Sequence, residues 1–540
     1  MGMRILYLFS QETRGLIVTL TQRGCFITLG EAVSQAQAIQ TAHVKPIPET
    51  VVTGLMMPTF TASLEQAWNE RPDMPAITLL QAGKPDVSLS TREMLRGAAG
   101  YAQTLAQAGI RPGEVVVLIL QHSLEHIYAY YGAILHGAIP SIMPFLTEKL
   151  LPERYRADLA ALVAVTRPAA ILTYPEFEGE VRASLAADSS VRAVLLTSQA
   201  LPPCDPDFSA LGGSRRRPED IVLLQHSSGT TGLQKGVALS HQAVFNQLHS
   251  YARAIQLNPA DVIVSWLPLY HDMGLIAGFL MPALLHIPLV LLSPFDWVRA
   301  PARLMQAVSR YHGTLSWMPN FAFSFCAQKT RDRDLQDVDL SSWRAVINCS
   351  EPVRWESIQD FTRRFAAYGL HPLAASTCYA MAENTFAVTQ SALNEPVRME
   401  AVDRDRLQMD KLAVPAGEQP AIEMVSTGKP IEQVQVKVVD AAGASLPERQ
   451  VGEVAVRSHC MLTGYYNRPD ATEKALAGDW YLTGDYGYLA EGELFITGRK
   501  KDLIIVGGKN IYPQDLEMLA MTVPGVHAGR VVAFGVMDEK

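Results

Sequence analysis

The run Ser227-Ser228-Gly229-Thr230-Thr231-Gly232-Leu233-Gln234-Lys235-Gly236 gathers the groups that a polyphosphate needs. Glycines permit positive φ and close backbone approach, hydroxyls and amides donate to phosphate oxygens, and the Lys235 ammonium offsets negative charge. The run is not a Walker A loop, whose lysine directly follows a second glycine; here position 234 is Gln. A flexible Gly/Thr surface loop is the competing reading. Further along, Glu383 offers the hard oxygen that Mg²⁺ prefers, and Asp485, just after the turn-forming Gly484, offers an ionised acceptor for a pair of hydroxyls. A solvated glutamate and a helix cap are the plainer alternatives for these two. His271 stands between Tyr270 and Asp272, and read by itself it is a core histidine held by Asp272.

These groups need elements to hold them. Apolar residues 221–224 read as a strand entering the loop, and 237–239 as a strand leaving it. From Leu124, apolar residues recur at Ile127, Tyr128, Tyr131, Ile134 and Leu135, a helical period that ends at Gly137 before an extended 138–140. Strand-like 169–173 and 192–196 and helix-like 301–311, before Gly313, continue the alternation. The fold class expected is therefore α/β with substantial sheet. After about residue 425 the texture becomes strand-like, at 433–439 and 452–457, with turn chemistry at Gly443 and Pro447, which predicts a β-rich subdomain over about 425–500. The tail from Asp502 holds one apolar run, a helix-like 514–521 and a strand-like 530–535, too little for a core of its own. Residues 1–60 carry no interpretable motif, and Pro46, Pro48 and Pro58 suggest a linker.

Of the 540 residues, 48% are hydrophobic and 19% charged, so a large buried core is expected and wholesale disorder is not. The net charge of -8 gives no bulk field for nucleic acid, so any phosphate must be held locally. The six cysteines lack metal-type spacing, which points to reduced, packed thiols in a cytoplasmic protein, without zinc or disulfides. Cys349 and Cys378 flank candidate nucleotide segments and are read as packing thiols. No membrane span is expected, because the most apolar region, 275–292, is broken by Gly278, Pro282, His286 and Pro288. The first residues do not have the layout of a signal peptide.

The phosphate-loop run resembles the signature of the adenylate-forming superfamily of acyl-CoA synthetases, luciferases and nonribosomal-peptide adenylation domains. The resemblance continues in order. Residues Trp266-Leu267-Pro268-Leu269-Tyr270-His271-Asp272-Met273-Gly274-Leu275 are similar to the motif that lines the acyl site, and Tyr379-Ala380-Met381-Ala382-Glu383 to the adenine-site motif whose glutamate binds the metal. Tyr481-Leu482-Thr483-Gly484-Asp485 resembles the ribose motif, and Gly498-Arg499-Lys500-Lys501-Asp502 the hinge. The match spans roughly 60–540. It implies a large N-terminal adenylation domain over 61–500, a hinge at Lys501 and part of a small α+β C-terminal domain over 501–540. It further implies ATP and Mg²⁺ as cofactors, with Lys235, Glu383 and His271 as catalytic groups. Nucleotide contacts are implied for Ser227, Ser228, Gly229, Thr230, Thr231, Gly232, Ser350, Glu351, Pro352, Tyr379, Ala380, Met381, Asp485 and Arg499. His271 would orient rather than transfer a proton, since a carboxylate substrate is already ionised near neutrality.

Within the superfamily, His271-Asp272-Met273-Gly274-Leu275-Ile276, Asn320-Phe321-Ala322, Glu351-Pro352-Val353-Arg354 and Asn510-Ile511-Tyr512-Pro513-Gln514-Asp515 look most like fatty acyl-AMP ligases. The implied reaction activates a fatty or related carboxylic acid to acyl-AMP and passes it to the phosphopantetheine of an acyl carrier protein. An acyl-CoA ligase and a non-catalytic nucleotide-binding relative are the alternatives. The polar stretch 394–420 is expected to be either the extra sequence of that subfamily or an ordinary surface loop. Cys349 and Ala380 stand where the subfamily usually has glycine, and Gln234 where proline is common, so a reshaped acyl or adenine site is expected. The family's C-terminal catalytic lysine has no assignable counterpart among these residues.

Overall fold

Val115–Ile119 is a run of apolar residues, and a strand so composed must be covered on both faces. In the computed structural model all five are buried in the middle of a seven-stranded sheet. The structure describes residues 58–146, 151–227, 235–418 and 420–502, with short stretches of both terminal segments. The sheet runs in the order Gly464–Tyr465, Lys235–Ser240, Ile221–Ser227, Ile139–Ile142, Val115–Ile119, Ala170–Thr173, Ala193–Leu196. Its first two pairings, which both involve Lys235–Ser240, are antiparallel and the rest are parallel.

A second sheet of nine strands has a parallel centre: Ala375–Ala380, Ala345–Asn348, Leu315–Met318, Ile263–Ser265, Leu289–Leu292 and Pro75–Leu80. Parallel neighbours need crossover helices, and Ala302–Tyr311, Asn320–Lys329 and Trp355–Ala366 supply them. The third sheet is the antiparallel set Val434–Val439, Gly452–Ser458, Trp480–Ala490, Leu476–Ala477 and Glu493–Arg499. The architecture is thus α/β with a β-rich sheet near the C-terminal end of the described chain.

Local chemistry accounts for the element ends. Ser123 accepts from His126 N at the start of helix Leu124–His136, and Gly137 closes it at φ 86, as the periodicity predicts. Helix Ala302–Tyr311 ends where the sequence places it, on His312 at φ 52 just before Gly313. Ser90 and Glu93 form a capping box on helix Thr91–Gln107, which lies against Leu124–His136. That approach needs Gly132: a Cβ there would meet the Tyr101 Cβ at 2.5 Å.

The 394–420 stretch is not an ordinary loop. Strand Met399–Asp403, helix Arg404–Met409 and strand Ala421–Val425 form a folded unit. Val402, Leu407 and Met424 build its core with Tyr488 and Phe495 of the third sheet. In the tail, the described strands are Ile504–Val506, Lys509–Ile511 and Ala533–Met537, and most of the helix-like 514–521 lies outside the described residues. Among the described residues no helix is long and apolar enough to cross a membrane.

Candidate active site

Lys235 opens the strand Lys235–Ser240, paired across the hairpin with Ser227. Ser228, Gly229, Thr230, Thr231 and Gly232 fall outside the described residues, as does the side chain of Ser227. The hairpin still fixes where the loop leaves and returns, and the returning segment is a strand, as expected, not a helix. The Lys235 ammonium lies 4.6 Å from the centroid of the Tyr465 ring. Tyr465 is there because Gly464–Tyr465 pairs with Lys235–Ser240 at the edge of the seven-stranded sheet.

Glu383 sits in the short 3₁₀ turn Ala382–Asn384 that follows strand Ala375–Ala380. It is buried, with 9% of its surface exposed. Its Oε1 accepts from the Tyr465 hydroxyl at 2.7 Å, and that hydroxyl shares a 2.8 Å hydrogen bond with the hydroxyl of Tyr481. Burial holds the carboxyl above the usual range, against the pull of the Tyr465 hydrogen bond. A carboxylate buried in this way would gain from a bound cation. No cluster of three His, Cys, Asp or Glu side chains occurs among the described residues. Glu383 is the kind of hard oxygen ligand that could hold Mg²⁺.

Asp485 follows Gly484, which takes φ 73, and its backbone N–H donates to Thr483 Oγ1 at 3.0 Å. Its carboxylate accepts from the Tyr379 hydroxyl at 2.6 Å and lies 3.3 Å from Arg499 Nε, directly across the antiparallel pair. Burial raises it despite Arg499. Arg499, Asp485 and Lys235 all act on the charge of Lys501, whose ammonium is lowered first by burial. The candidate phosphate, ribose and hinge groups therefore share one region. Ala380 and Met381 are half-buried beside them.

His271 is not a core histidine. Asp272 does hold it, Oδ1 to Nδ1 at 2.7 Å, but 45% of the His271 side chain is exposed. Asp272 raises the imidazole above its ordinary value, with burial opposing. The same Asp272 Oδ1 accepts from Met273 N and so caps Met273–Leu280, a buried π-helix closed by Met281 N to Ile276 O. A π-helix is rare and is often found at functional sites. Gly274 lets it seat against the preceding loop, since a Cβ there would come within 2.2 Å of the Pro268 carbonyl oxygen. Trp266 stacks on Trp297 at 3.5 Å between centroids, and Phe321 packs edge-on to both rings.

Phe321 connects this aromatic group to the remaining candidates, because its N–H donates to Glu351 at 2.9 Å. Glu351 is raised by desolvation and feels the charge of His271. Ser350 adopts φ 70, a conformation rare for a non-glycine residue, and Pro352 is exposed. Cys349 and Cys378 are buried, and burial pushes the Cys378 thiol up, as suits packing groups.

The residues that the motifs do not name are Tyr465, Asn384 and Thr385. Tyr465 lies 82 positions from Glu383, and only the strand pairing brings it to the site. Its neighbour Gly464 and the apolar run around it give no signal of that contact.

The family model described as AMP-binding enzyme matches residues 64–466. The medium-chain-fatty-acid–[acyl-carrier-protein] ligase JamA of Moorena producens is 32% identical over 467 residues, covering 82% of this chain and 77% of its own. The long-chain-fatty-acid–AMP ligase FadD26 of Mycobacterium bovis is 31% identical over 499 residues, covering 88% of this chain and 84% of its own. A solved structure from work on fatty acyl-adenylate ligases of E. coli and L. pneumophila superposes with a TM-score of 0.80 at 30% identity, covering 87% of this chain and 84% of that one. With the model matching well over half of its length, this chain belongs to the AMP-binding enzyme family.

Proposed function

We propose that this enzyme uses ATP to convert a fatty or related carboxylic acid into acyl-AMP and then passes the acyl group to the phosphopantetheine thiol of an acyl carrier protein. The observation that carries the reading is the placing of Lys235 and Glu383 on one tyrosine, Tyr465. It sets a cation for phosphate oxygens beside a buried carboxylate suited to Mg²⁺. In the first step a carboxylate oxygen of the acid attacks the α-phosphorus, forming the O–P bond as the bond to pyrophosphate breaks. Lys235 would neutralise charge on the phosphate oxygens as they crowd, and Glu383 would hold the metal end of the nucleotide. Mg²⁺, when bound, supplies further charge screening on the phosphates. Asp485 would accept from the ribose hydroxyls, with Tyr379 and Arg499 fixing its carboxylate.

His271 would orient the acid. Asp272 ties up Nδ1, so the imidazole can present only its other nitrogen to the cleft. In the second step the thiol sulfur attacks the acyl carbon, the thiol proton is lost, and the bond to AMP breaks. Residues 61–500 would form the adenylation body, with Lys501 as the hinge at which the C-terminal unit over 501–540 begins. The name of the Moorena relative supports a carrier acceptor; a free-CoA acceptor is the second reading.

The test is a panel of carboxylic acids incubated with ATP and Mg²⁺ and assayed for acyl-AMP and pyrophosphate by mass spectrometry. ATP binding with no acyl-AMP from any fatty acid would leave only a nucleotide-binding relative.

A further inference from the structure

Thr385 is a buried, β-branched residue at φ 63, ψ −51. Side chains branched at Cβ strongly avoid this region, so the surrounding structure must enforce it. The N–H of Phe386 donates to the Asn384 carbonyl at 2.7 Å across it, which makes a γ-turn of the strained, positive-φ kind. The turn lies two residues after Glu383 and reverses the chain, so that Met381 N reaches the Phe386 carbonyl at 2.9 Å.

The enforcing contacts come from one remote segment. Thr385 Oγ1 donates to the Cys460 carbonyl at 2.7 Å. The Ser458 hydroxyl donates to Asn384 Oδ1, and Leu462 N donates to the Glu383 carbonyl at 2.8 Å. Tyr465, further along the same segment, donates to the Glu383 carboxylate. Residues 458–465 therefore grip the Glu383 turn at its backbone, at its side chain and at the residues that follow it.

We propose that Thr385 is a positioning residue for the metal–nucleotide site: its γ-turn, locked by the hydroxyl bond to Cys460, sets the direction of the Glu383 carboxylate. The inference rests on the reading of Glu383 as the Mg²⁺ ligand. Loss of the hydroxyl would leave a buried carbonyl without its donor and let the turn relax toward a commoner conformation. The carboxylate would then be misplaced while the pocket stays whole. Groups that orient a metal ligand from behind typically account for about ten- to a hundredfold in metal affinity.

The experiment is Mn²⁺ binding in the presence of a non-hydrolysable ATP analogue, read by electron paramagnetic resonance, for wild type, Thr385→Val, Thr385→Gly and Thr385→Ser. Thr385→Val keeps the branched shape and loses the donor. Thr385→Gly adopts the backbone conformation freely, so that strain cannot prevent it from folding. Both should bind Mn²⁺ about ten- to a hundredfold more weakly than wild type, with Thr385→Ser rescued. Wild-type Mn²⁺ affinity in the Val and Gly variants, or a Ser variant as impaired as Val, would overturn the proposal. A wild-type chain that binds Mn²⁺ and nucleotide yet makes no acyl-AMP would instead sink the proposed function, while leaving this comparison readable.

Discussion

The ammonium of Lys235 lies 4.6 Å from the centroid of the Tyr465 ring. Before nucleotide arrives, the ring face gives the lysine a weak electrostatic partner that a phosphate can readily replace. Tyr465→Phe keeps that face and removes the hydroxyl that donates to Glu383. A hydrogen bond to a charged group contributes about 1.5–3 kcal/mol, so the Phe variant should lose roughly ten- to a hundredfold in kcat/KM for ATP. Tyr465→Leu, which also removes the face, should lose more. Equal activity of Phe and wild type in pyrophosphate exchange would show that the hydroxyl is idle.

Lys235→Ala and Glu383→Gln remove the groups placed nearest the phosphates. Loss of one preorganised charge-stabilising group typically lowers rate by about a hundred- to a thousandfold. Both variants should keep the wild-type circular dichroism spectrum and lose acyl-AMP formation on that scale. Near-normal rates in the pair would remove these residues from the mechanism.

Burial raises both Glu383 and Asp485. A carboxyl raised on folding favours its neutral form, so its stabilising contribution is present below the ordinary carboxylate range and is lost as pH rises through the folded value. The nucleotide-free Glu383→Gln variant escapes that loss. Its thermal midpoint should exceed the wild-type one near neutral pH, with the gap closing as the pH falls to about 4. A gap that is constant or widens in acid would contradict the burial argument.

Trp266 and Trp297 are buried and stacked, and Trp266 directly follows strand Ile263–Ser265, which lies against the π-helix. Trp266→Ala should destabilise the fold by about 3–5 kcal/mol and, if the proposed acyl site adjoins the stack, open space in it. Competition between straight-chain and bulky acids should shift toward the bulky ones in this variant. An unchanged preference would place the stack outside the acyl site.

With a phosphopantetheinylated carrier and CoA offered at equal concentration, acyl thioester should form faster on the carrier, which contributes a docking surface that free CoA lacks. Efficient acyl-CoA formation with no carrier preference would move the protein to the CoA-ligase reading without touching the adenylation step.

What the sequence made legible was local. The cap at Gly137 and the strands around the Lys235 hairpin each follow from a few adjacent residues, whereas Gly484, expected to form a turn, lies at an irregularity inside strand Trp480–Ala490. The contacts that complete the site were not legible, because they join positions far apart. Tyr465 reaches Glu383 through an edge-strand pairing, and Thr385 reaches Cys460 across 75 positions. The π-helix after Asp272 was hidden for another reason: its residues are apolar all round, so no periodicity distinguishes its winding. His271 misled a solitary reading because Asp272 can hold an imidazole equally well in a core or at a cleft.

Tyr465 belongs to the seven-stranded sheet, Glu383 follows a strand of the nine-stranded sheet, and Tyr481 lies in the antiparallel third. Their hydrogen bonding joins the three large sheets found among the described residues. A nucleotide lying over these groups would staple three separately built layers, and by mass action it raises the cost of parting any one of them. At a hundredfold excess over its Kd that is about 2.7 kcal/mol, enough to slow a protease that cuts between layers. The substrate of the reaction would then double as the clasp of the fold.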